Sequence, residues 1–177
     1  MQLNLYAQPN LVWQKCYGGV AGESVSTSAV KPNMIKTFDG GYIFISISAS
    51  NDGNVSGNHS PVGFLGDYWV VKLDSAMNIQ WQKCLGGSYF EYANCIIQSN
   101  QGEYLIAGRT NSNDGDVSGN NGVVNFQFDY WIVNLDNSGN INWQKCLGGT
   151  TGEEARAIVQ ADDSSFLVAG TSASNDG

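Results

Sequence analysis

The stretch Trp81-Gln82-Lys83-Cys84-Leu85-Gly86-Gly87 decides the architecture of this sequence, because most of it occurs three times. The tetrapeptide Trp-Gln-Lys-Cys begins at residues 13, 81 and 143, and one residue and Gly-Gly follow it each time. Other positions recur together with this tetrapeptide, since Tyr42, Tyr104 and Phe166 are spaced 62 residues apart. The chain is therefore an array of 62-residue repeats, which is longer than the ~20–34-residue units of the short solenoids.

Each repeat contains four strand-like segments separated by turn sequences. In the second repeat these segments are 79–85, 93–98, 104–110 and 130–135, and they are rich in β-branched and aromatic residues or alternate in polarity. Segments rich in Gly, Asn and Asp separate them, and no window has the period of a helix. Four short strands with a recurring tryptophan and paired glycines are typical of a propeller blade. We therefore predict an all-β fold, a β-propeller segment of four-stranded blades.

The repeat also predicts how the chain is divided. The 177 residues contain about 2.9 repeats, whereas closed propellers have ~4–8 blades. We therefore expect an incomplete propeller, either a piece of a larger one or a chain that self-associates through open blade edges. The predicted units are a terminal blade strand or clipped signal-peptide tail at 1–12, repeat 1 at 13–80, repeat 2 at 81–142 and a truncated repeat 3 at 143–177.

Composition excludes several functions. The chain has 8 Lys and Arg against 16 Asp and Glu, for a net charge of −8. Binding to nucleic acid or to an anionic membrane surface needs a basic face, so neither partner is expected. No stretch reaches the ~20 apolar residues that a membrane-spanning helix needs. We therefore predict no nucleic-acid partner and no membrane insertion.

The four cysteines do not form a metal-binding pattern, because there is no Cys-x-x-Cys and the chain has one histidine. Cys16, Cys84 and Cys146 recur at one repeat position, which favours a small buried apolar side chain. A bridge between Cys84 and Cys95 stays open as an alternative. The recurring tryptophans are interpreted as packing between blades, and a stacking platform for sugars or bases is the competing hypothesis.

Several repeat motifs resemble those of a known group. The repeat combines Trp-Gln-Lys-Cys-Leu-Gly-Gly, Ser-Asn-Asp-Gly-Asp-Val-Ser-Gly-Asn and Asp-Tyr-Trp-Ile-Val-Asn-Leu-Asp-Asn-Ser-Gly-Asn-Ile, at 81–87, 112–120 and 129–141. These motifs resemble the repeats of secreted β-propeller proteins of Bacteroidota over nearly the whole chain. The resemblance implies export and a secreted or outer-cell-surface location, and it implies no particular reaction. The stretch 135–143 has a weaker likeness to quinoprotein propeller blades, which supports the fold and says little about a quinone cofactor.

The loop at 114–120 is the sharpest candidate for a metal site. Asp114, Asp116, Ser118 and Asn120 place oxygen-bearing side chains at alternate positions, a pattern that suits Ca²⁺. The pattern matches only the first half of an EF-hand loop, since the twelfth position is Asn125 rather than Glu. The competing hypothesis is a turn whose side chains bond to backbone groups. The first repeat carries a weaker version of the candidate site at Asp52, Asn54, Ser56 and Asn58.

No catalytic residue is predicted. The carboxylates at Asp67 and Asp129, at Asp74 and Asp136, and at Glu23, Glu91 and Glu153 recur with the repeat, whereas a catalytic site usually needs unequal environments. We assign them to structure, and we assign His59 to a solvated loop. An enzyme would need an irregular, non-repeated cluster of polar residues, and the sequence does not reveal one.

The sequence thus predicts a non-enzymatic, extracellular or cell-surface repeat domain for binding, adhesion or structural support. Its partner would be an extracellular protein or glycan, and Ca²⁺ is the one cofactor under consideration. Two alternatives remain. One is a calcium-stabilised carbohydrate-binding module, and the other is a fragment of a propeller enzyme of quinoprotein or hydrolase type.

Overall fold

The computed structural model describes residues 14–25, 33–60, 65–122, 126–162 and 164–176. Every regular element in these ranges is a β-strand, and all the strand pairs are antiparallel. The all-β prediction is therefore confirmed. The predicted terminal strand or signal remnant at 1–12, together with Trp13 and Asn125, lies outside the described residues.

The strands form three sheets that follow one another along the chain. The first contains β1 (Glu23–Ser24), β2 (Met34–Lys36), β3 (Tyr42–Ser48), β4 (Asp67–Leu73) and β5 (Ile79–Leu85). The second contains β6 (Glu91–Gln98), β7 (Tyr104–Thr110), β8 (Asp129–Leu135) and β9 (Ile141–Leu147), paired in that order. The third contains β10 (Glu153–Gln160) and β11 (Phe166–Ser172).

The Trp-Gln-Lys-Cys segment lies in the last strand of the first sheet and in the last strand of the second sheet, which we call the two complete sheets. Trp69 on β4 pairs with Cys84 on β5, and Trp131 on β8 pairs with Cys146 on β9. The sheets are thus offset from the predicted sequence units, because β5 begins before residue 81 and completes the sheet that precedes it. The residue at which a repeat is said to begin is arbitrary. Hydrogen bonding places the strands within residues 91–147 in the second sheet.

Tight turns connect the last two strands of each complete sheet. The Asp136 Oδ1 atom accepts hydrogen bonds from the backbone N–H groups of Ser138 and Asn140, both at 2.8 Å. Gly139 has a φ of 79°, which a glycine adopts without steric cost. Met77 takes the equivalent place in the first sheet with a φ of 63°. An aspartate that binds two backbone donors defines the turn in both sheets.

The apolar core lies between the sheets. One cluster joins Ile45 and Tyr68 of the first sheet to Ile106 and Trp131 of the second. Another joins Leu105 and Ile132 to residues of β10. Each sheet therefore covers its neighbour and buries apolar surface that a single sheet would expose.

The recurring tryptophans take different positions in this packing. Trp69 and Trp131 are fully buried, and each donates its indole N–H to a glutamine on the next strand. Trp81 lies against Tyr104 of the second sheet, with 6.1 Å between ring centroids, and donates its indole N–H to the Asn137 carbonyl. Trp81, Trp69 and Trp131 are thus packing residues, as the sequence predicted. Trp143 is 41% exposed.

All four cysteines lie in the described part of the chain, and none forms a disulfide. Cys84 and Cys95 belong to different apolar clusters, so the alternative of a Cys84–Cys95 bridge is not realised. Cys84, Cys95 and Cys146 are buried, whereas Cys16 is exposed. Within the described residues, no helix is long and apolar enough to cross a membrane.

Candidate functional site

The side chains of the candidate calcium loop at 114–120 bind other parts of the protein. The two carboxylate oxygens of Asp114 accept hydrogen bonds from the backbone N–H and the hydroxyl of Ser88, at 2.8 and 2.6 Å. Asp116 accepts from the backbone N–H of Gly86 at 3.2 Å. These two carboxylates therefore fasten the β7–β8 loop to the connection between the first and second sheets.

The two neutral candidate ligands of this loop are also occupied. The Ser118 hydroxyl accepts a hydrogen bond from the Gln144 side-chain amide at 2.5 Å. The Asn120 amide donates to the carbonyls of Thr110 and Ser112 at 3.2 and 3.1 Å. The structure thus uses all four side chains in a loop clasp. Among the described residues there is no group of three or more His, Cys, Asp or Glu side chains that could hold a metal ion.

The candidate site in the first repeat forms the same kind of clasp. Its four side chains each bond to a backbone group or to a glutamine of a neighbouring segment. The pairs are Asp52 with Val20 at 2.8 Å, Asn54 with Gly18 at 3.3 Å, Ser56 with Gln82 at 2.6 Å and Asn58 with Ser48 at 2.6 Å. Both loops therefore link each sheet to its neighbouring segments through contacts that follow the repeat.

The recurring carboxylates form pairs at the junctions between sheets. Asp67 of β4 and Glu91 of β6 approach each other beside Gly86, where a Cβ would lie 2.9 Å from Asp67 Oδ1. That oxygen is buried and has no hydrogen-bond partner. Burial raises the pKa of Asp67, and it raises the pKa of Glu91 to about 7. Burial of two carboxyl groups side by side disfavours their charged forms, and hydrogen bonds from Thr110 and Gly87 to Glu91 offset part of this effect.

The second junction repeats the pair with Asp129 and Glu153. Burial raises the pKa of Asp129, and the Glu153 charge adds to this effect. Burial also acts to raise the pKa of Glu153, but hydrogen bonds from Ser174 and Gly149 outweigh it and the net shift is downward. Because the same two positions meet at both junctions, the pair belongs to the repeat and supports the structural assignment.

His59 is an exposed loop residue, as the sequence predicted, but its ring also contacts two carboxylates. Its Nδ1 lies 2.7 Å from Asp67 Oδ2, and its Nε2 lies 3.6 Å from Asp116 Oδ2. Burial acts to lower the pKa of His59, but the hydrogen bond and charge of Asp67 outweigh it and raise the pKa overall. No local sequence pattern indicates this contact, because Asp67 lies eight residues further along the chain.

A second cluster does not follow the repeat. The sequence contains two arginines, Arg109 and Arg156, and both approach Glu154. Arg109 Nη1 lies 3.5 Å and Arg156 Nη2 lies 2.9 Å from the same Glu154 oxygen, Oε2. Glu154 is buried, and each arginine side chain remains about one-third exposed. Two guanidinium groups thus share one carboxylate at the junction between the second and third sheets.

Aromatic rings surround one of these arginines. The Arg109 guanidinium carbon lies 4.6 Å from the ring centroid of Tyr92 and 4.5 Å from that of Phe128. These distances are typical of cation–π contacts. Phe90 stacks near Tyr92, with 5.8 Å between centroids and an interplanar angle of 18°. Phe90 and Tyr92 also line a cleft of about 400 Å³ beside the first sheet.

Two β-bulges complete this group of side chains. We call it the arginine–aromatic cluster, and it contains Arg109, Arg156, Glu154, Asn94, Tyr92 and Phe128. Asn94 and Arg156 are the extra residues where β6 and β10 slip register against their partners. The Asn94 amide donates to Glu154 Oε1 at 3.0 Å and to the Ala155 carbonyl at 2.8 Å, whereas its Oδ1 has no partner. The Nε atoms of Arg109 and Arg156 are also buried without a partner. The cluster therefore contains polar atoms that the described residues do not satisfy.

The repeat pattern does not predict the arginine–aromatic cluster, because the residues of the cluster are not shared between repeats. A 62-residue shift takes Tyr92 to Glu154, Asn94 to Arg156 and Arg109 to Thr171. Two features of the sequence indicate the cluster. Its residues differ between repeats, and it contains the two arginines of a chain with a net charge of −8. No protein-family model matches this chain, and no curated protein is similar to it in sequence. The interpretation therefore depends on the geometry of the cluster.

Proposed function

We propose that this chain is a segment of an extracellular β-propeller that binds a ligand without transforming it. The stacked antiparallel sheets, of which the second has four strands, support the blade assignment, because successive sheets follow the 62-residue period and bury apolar faces between them. The resemblance to secreted Bacteroidota propellers supports a secreted or outer-surface location. The ligand is a glycan or a protein, and the arginine–aromatic cluster favours a glycan.

The observation that carries the proposal is the break in the repeat at the arginine–aromatic cluster. The loop clasps recur and are occupied by neighbouring segments, and the carboxylate pairs recur at both junctions, where Asp67 Oδ1 and Asp129 Oδ1 lack a hydrogen-bond partner. Arg109, Arg156 and Asn94 differ between repeats and retain unsatisfied polar atoms. A ligand site needs a few polar groups beside apolar surface, and the aromatic residues Tyr92 and Phe128 supply that surface.

A glycan array tests the binding function. The complete chain is compared with the double variant Arg109→Gln/Arg156→Gln and with the control Lys145→Gln, which removes an exposed charge on β9. We expect glycan signals for the wild type and the control, and their loss in the double variant. A blank array for the wild-type chain, or equal signals in all three proteins, would contradict glycan binding at this cluster.

Calcium stabilisation is a second candidate, which the oxygen-rich loops favour. The clasp geometry gives it a sharp test, because Asp114 and Asp116 already bind backbone groups. If these loops bind Ca²⁺, millimolar Ca²⁺ raises the melting temperature of the wild type relative to EDTA, and Asp116→Ala abolishes the increase. If they act only as clasps, Asp116→Ala lowers the melting temperature equally in Ca²⁺ and in EDTA.

The enzyme alternative is disfavoured by the composition of the cluster. The cluster is irregular, as an active site would require, but Glu154 is its single carboxylate and is bound by two guanidinium groups. Glycoside hydrolysis usually uses a pair of carboxyl groups with different protonation. We therefore expect glycans that bind to the chain to be recovered with unchanged length by mass spectrometry. Shortened products would support the enzyme instead.

A further inference from the structure

We propose that Arg109 and Arg156 bind the carboxylate of an acidic sugar, a hexuronate unit of a polysaccharide. The inference rests on the proposed glycan-binding function and names its ligand class. Guanidinium groups recognise carboxylates through paired, charge-assisted hydrogen bonds, which a lysine ammonium does not reproduce. Both guanidinium groups of the chain lie at this one place.

The charge balance of the cluster favours an anion. Two guanidinium groups face one carboxylate, that of Glu154, and the three groups together carry one excess positive charge. The side chain of Arg109 is 31% exposed and that of Arg156 is 37% exposed, whereas that of Glu154 is 10% exposed. The carboxylate is thus more deeply buried than the two cations, and part of each arginine side chain remains open to an incoming anion.

The unsatisfied atoms narrow the chemistry of the ligand. Arg109 Nε and Arg156 Nε are donors, and Asn94 Oδ1 is an acceptor on a side chain with 0% exposure. The two bonds made by the Asn94 amide nitrogen fix which end of that side chain is the acceptor. Buried polar atoms are normally hydrogen-bonded. A ligand that offers both a carboxylate and hydroxyl groups matches donors and acceptor together, whereas a simple anion matches only the donors.

The neighbouring surface favours a sugar over an acidic peptide. Tyr92 contacts Arg109 and also lines the 400 Å³ cleft together with Phe90. The same cleft is lined by the small residues Ala21, Gly22 and Ala49. A largely apolar cleft that shares Tyr92 with the Arg109 contact suits the C–H face of a pyranose ring.

Oligogalacturonate and its fully methyl-esterified form are matched probes, because they differ only in the charge of the carboxyl group. Both are titrated into the complete chain by calorimetry, with EDTA present to exclude a calcium bridge. We expect the free acid to bind and the ester to bind about 10-fold or more weakly, which is the loss of one charge-assisted hydrogen bond. Arg156→Gln should weaken binding of the free acid by a similar factor.

The controls separate this recognition from general charge and from misfolding. Lys145→Gln removes the same charge elsewhere and should leave the affinity unchanged. Arg156→Lys keeps the charge but loses the planar fork, so we expect a loss close to that of Arg156→Gln. Arg109 contacts two aromatic rings, whereas Arg156 contacts none among the described residues, so a substitution of Arg156 disturbs the packing less. Circular dichroism checks that each variant is folded.

Each outcome decides the question. Equal binding of the acid and the ester, or an equal loss in Lys145→Gln and Arg156→Gln, would overturn the carboxylate site while glycan binding stands. Binding of a poly-glutamate peptide but not of oligogalacturonate would assign the cluster to an acidic protein. Absence of binding to every glycan on the array, to both probes and to poly-glutamate would overturn the proposed function as well.

Discussion

The hydroxyl group of Tyr68 occupies the space above Gly108, where a Cβ would come within 2.6 Å of it. Tyr68 belongs to the first sheet and Gly108 to the second, and the hydroxyl donates to the Trp131 carbonyl at 3.3 Å. Tyr130 and Gly170 repeat the relationship between the second and third sheets, with a corresponding separation of 2.7 Å. At each junction, a tyrosine hydroxyl of one sheet thus fills the space left by a glycine of the next sheet.

Gly108→Ala should destabilise the fold. The new methyl group would meet both the Tyr68 hydroxyl and the backbone of Tyr92, and overpacking of this kind costs about 1–3 kcal/mol. Urea unfolding followed by tryptophan fluorescence measures the change. Gly152→Ala is the control, because a Cβ there meets no atom within 4 Å, and it should stay within about 0.5 kcal/mol of the wild type. A tolerated Gly108→Ala would mean that the sheets separate easily.

Gln144→Leu should leave the buried indole of Trp131 without its acceptor. The Trp131 N–H donates to Gln144 Oε1 at 2.8 Å, and an unsatisfied buried donor costs about 1–3 kcal/mol. Gln144→Glu keeps an acceptor for Trp131 and loses only the donor to Ser118, so its free energy of unfolding should fall less. Equal losses in the two variants would show that the contact with Ser118 is the important one.

Stability should decrease as the pH rises toward neutrality. Burial raises the pKa of Glu91 from 4.5 to about 7, so the folded state retains a proton that the unfolded chain releases. The resulting stabilisation of the folded state is fully present below about pH 4.5, and it is lost as the pH rises from about 4.5 to 7. The raised pKa values of Asp67 and His59 act in the same direction.

Glu91→Gln should therefore flatten this part of the pH profile and make the protein relatively more stable above pH 7. Melting temperatures measured from pH 4 to pH 8 test the effect. Asp162→Asn changes an exposed carboxylate and should preserve the wild-type slope. An unchanged slope in Glu91→Gln would place the retained proton on another group.

The cysteines should differ sharply in reactivity. Burial raises the pKa of Cys84 and of Cys146 to about 12, and the thiolate is the reactive form. Cys95 is fully buried, whereas Cys16 is exposed. A thiol-reactive dye at pH 8 should modify Cys16 quickly in the native protein and all four cysteines after denaturation. Rapid native modification of Cys84 or Cys146 would contradict the packing between sheets.

Local sequence predicted the strands closely. The predicted segments 93–98 and 130–135 correspond to β6 at Glu91–Gln98 and β8 at Asp129–Leu135, and 79–85 and 104–110 match β5 and β7. These predictions succeeded because strand and turn preferences are local, and three copies of the repeat reinforce each other. The role of Trp69 and Trp131 in the core was predicted for the same reason.

The candidate sites were harder to predict, because contacts across sheets decide them. Asp114 and Asp116 have the spacing of cation ligands in the sequence, yet their oxygens bind Ser88 and Gly86. His59 has no charged neighbour close in sequence, yet it contacts Asp67. Spacing alone does not indicate whether an oxygen is available, since its partner comes from another strand.

The strands, the turns and the repeat can be predicted from the sequence, because they follow from local residue preferences and from a period that is visible in the residues. The arrangement of the arginine–aromatic cluster depends instead on tertiary contacts. The register slips at Asn94 and Arg156 bring bulged residues of two sheets to Glu154, and sheet stacking brings Arg109 beside them. Side chains from distant segments contact one another at Glu154 because the burial of apolar surface stacks the sheets. No local sequence pattern predicts these contacts.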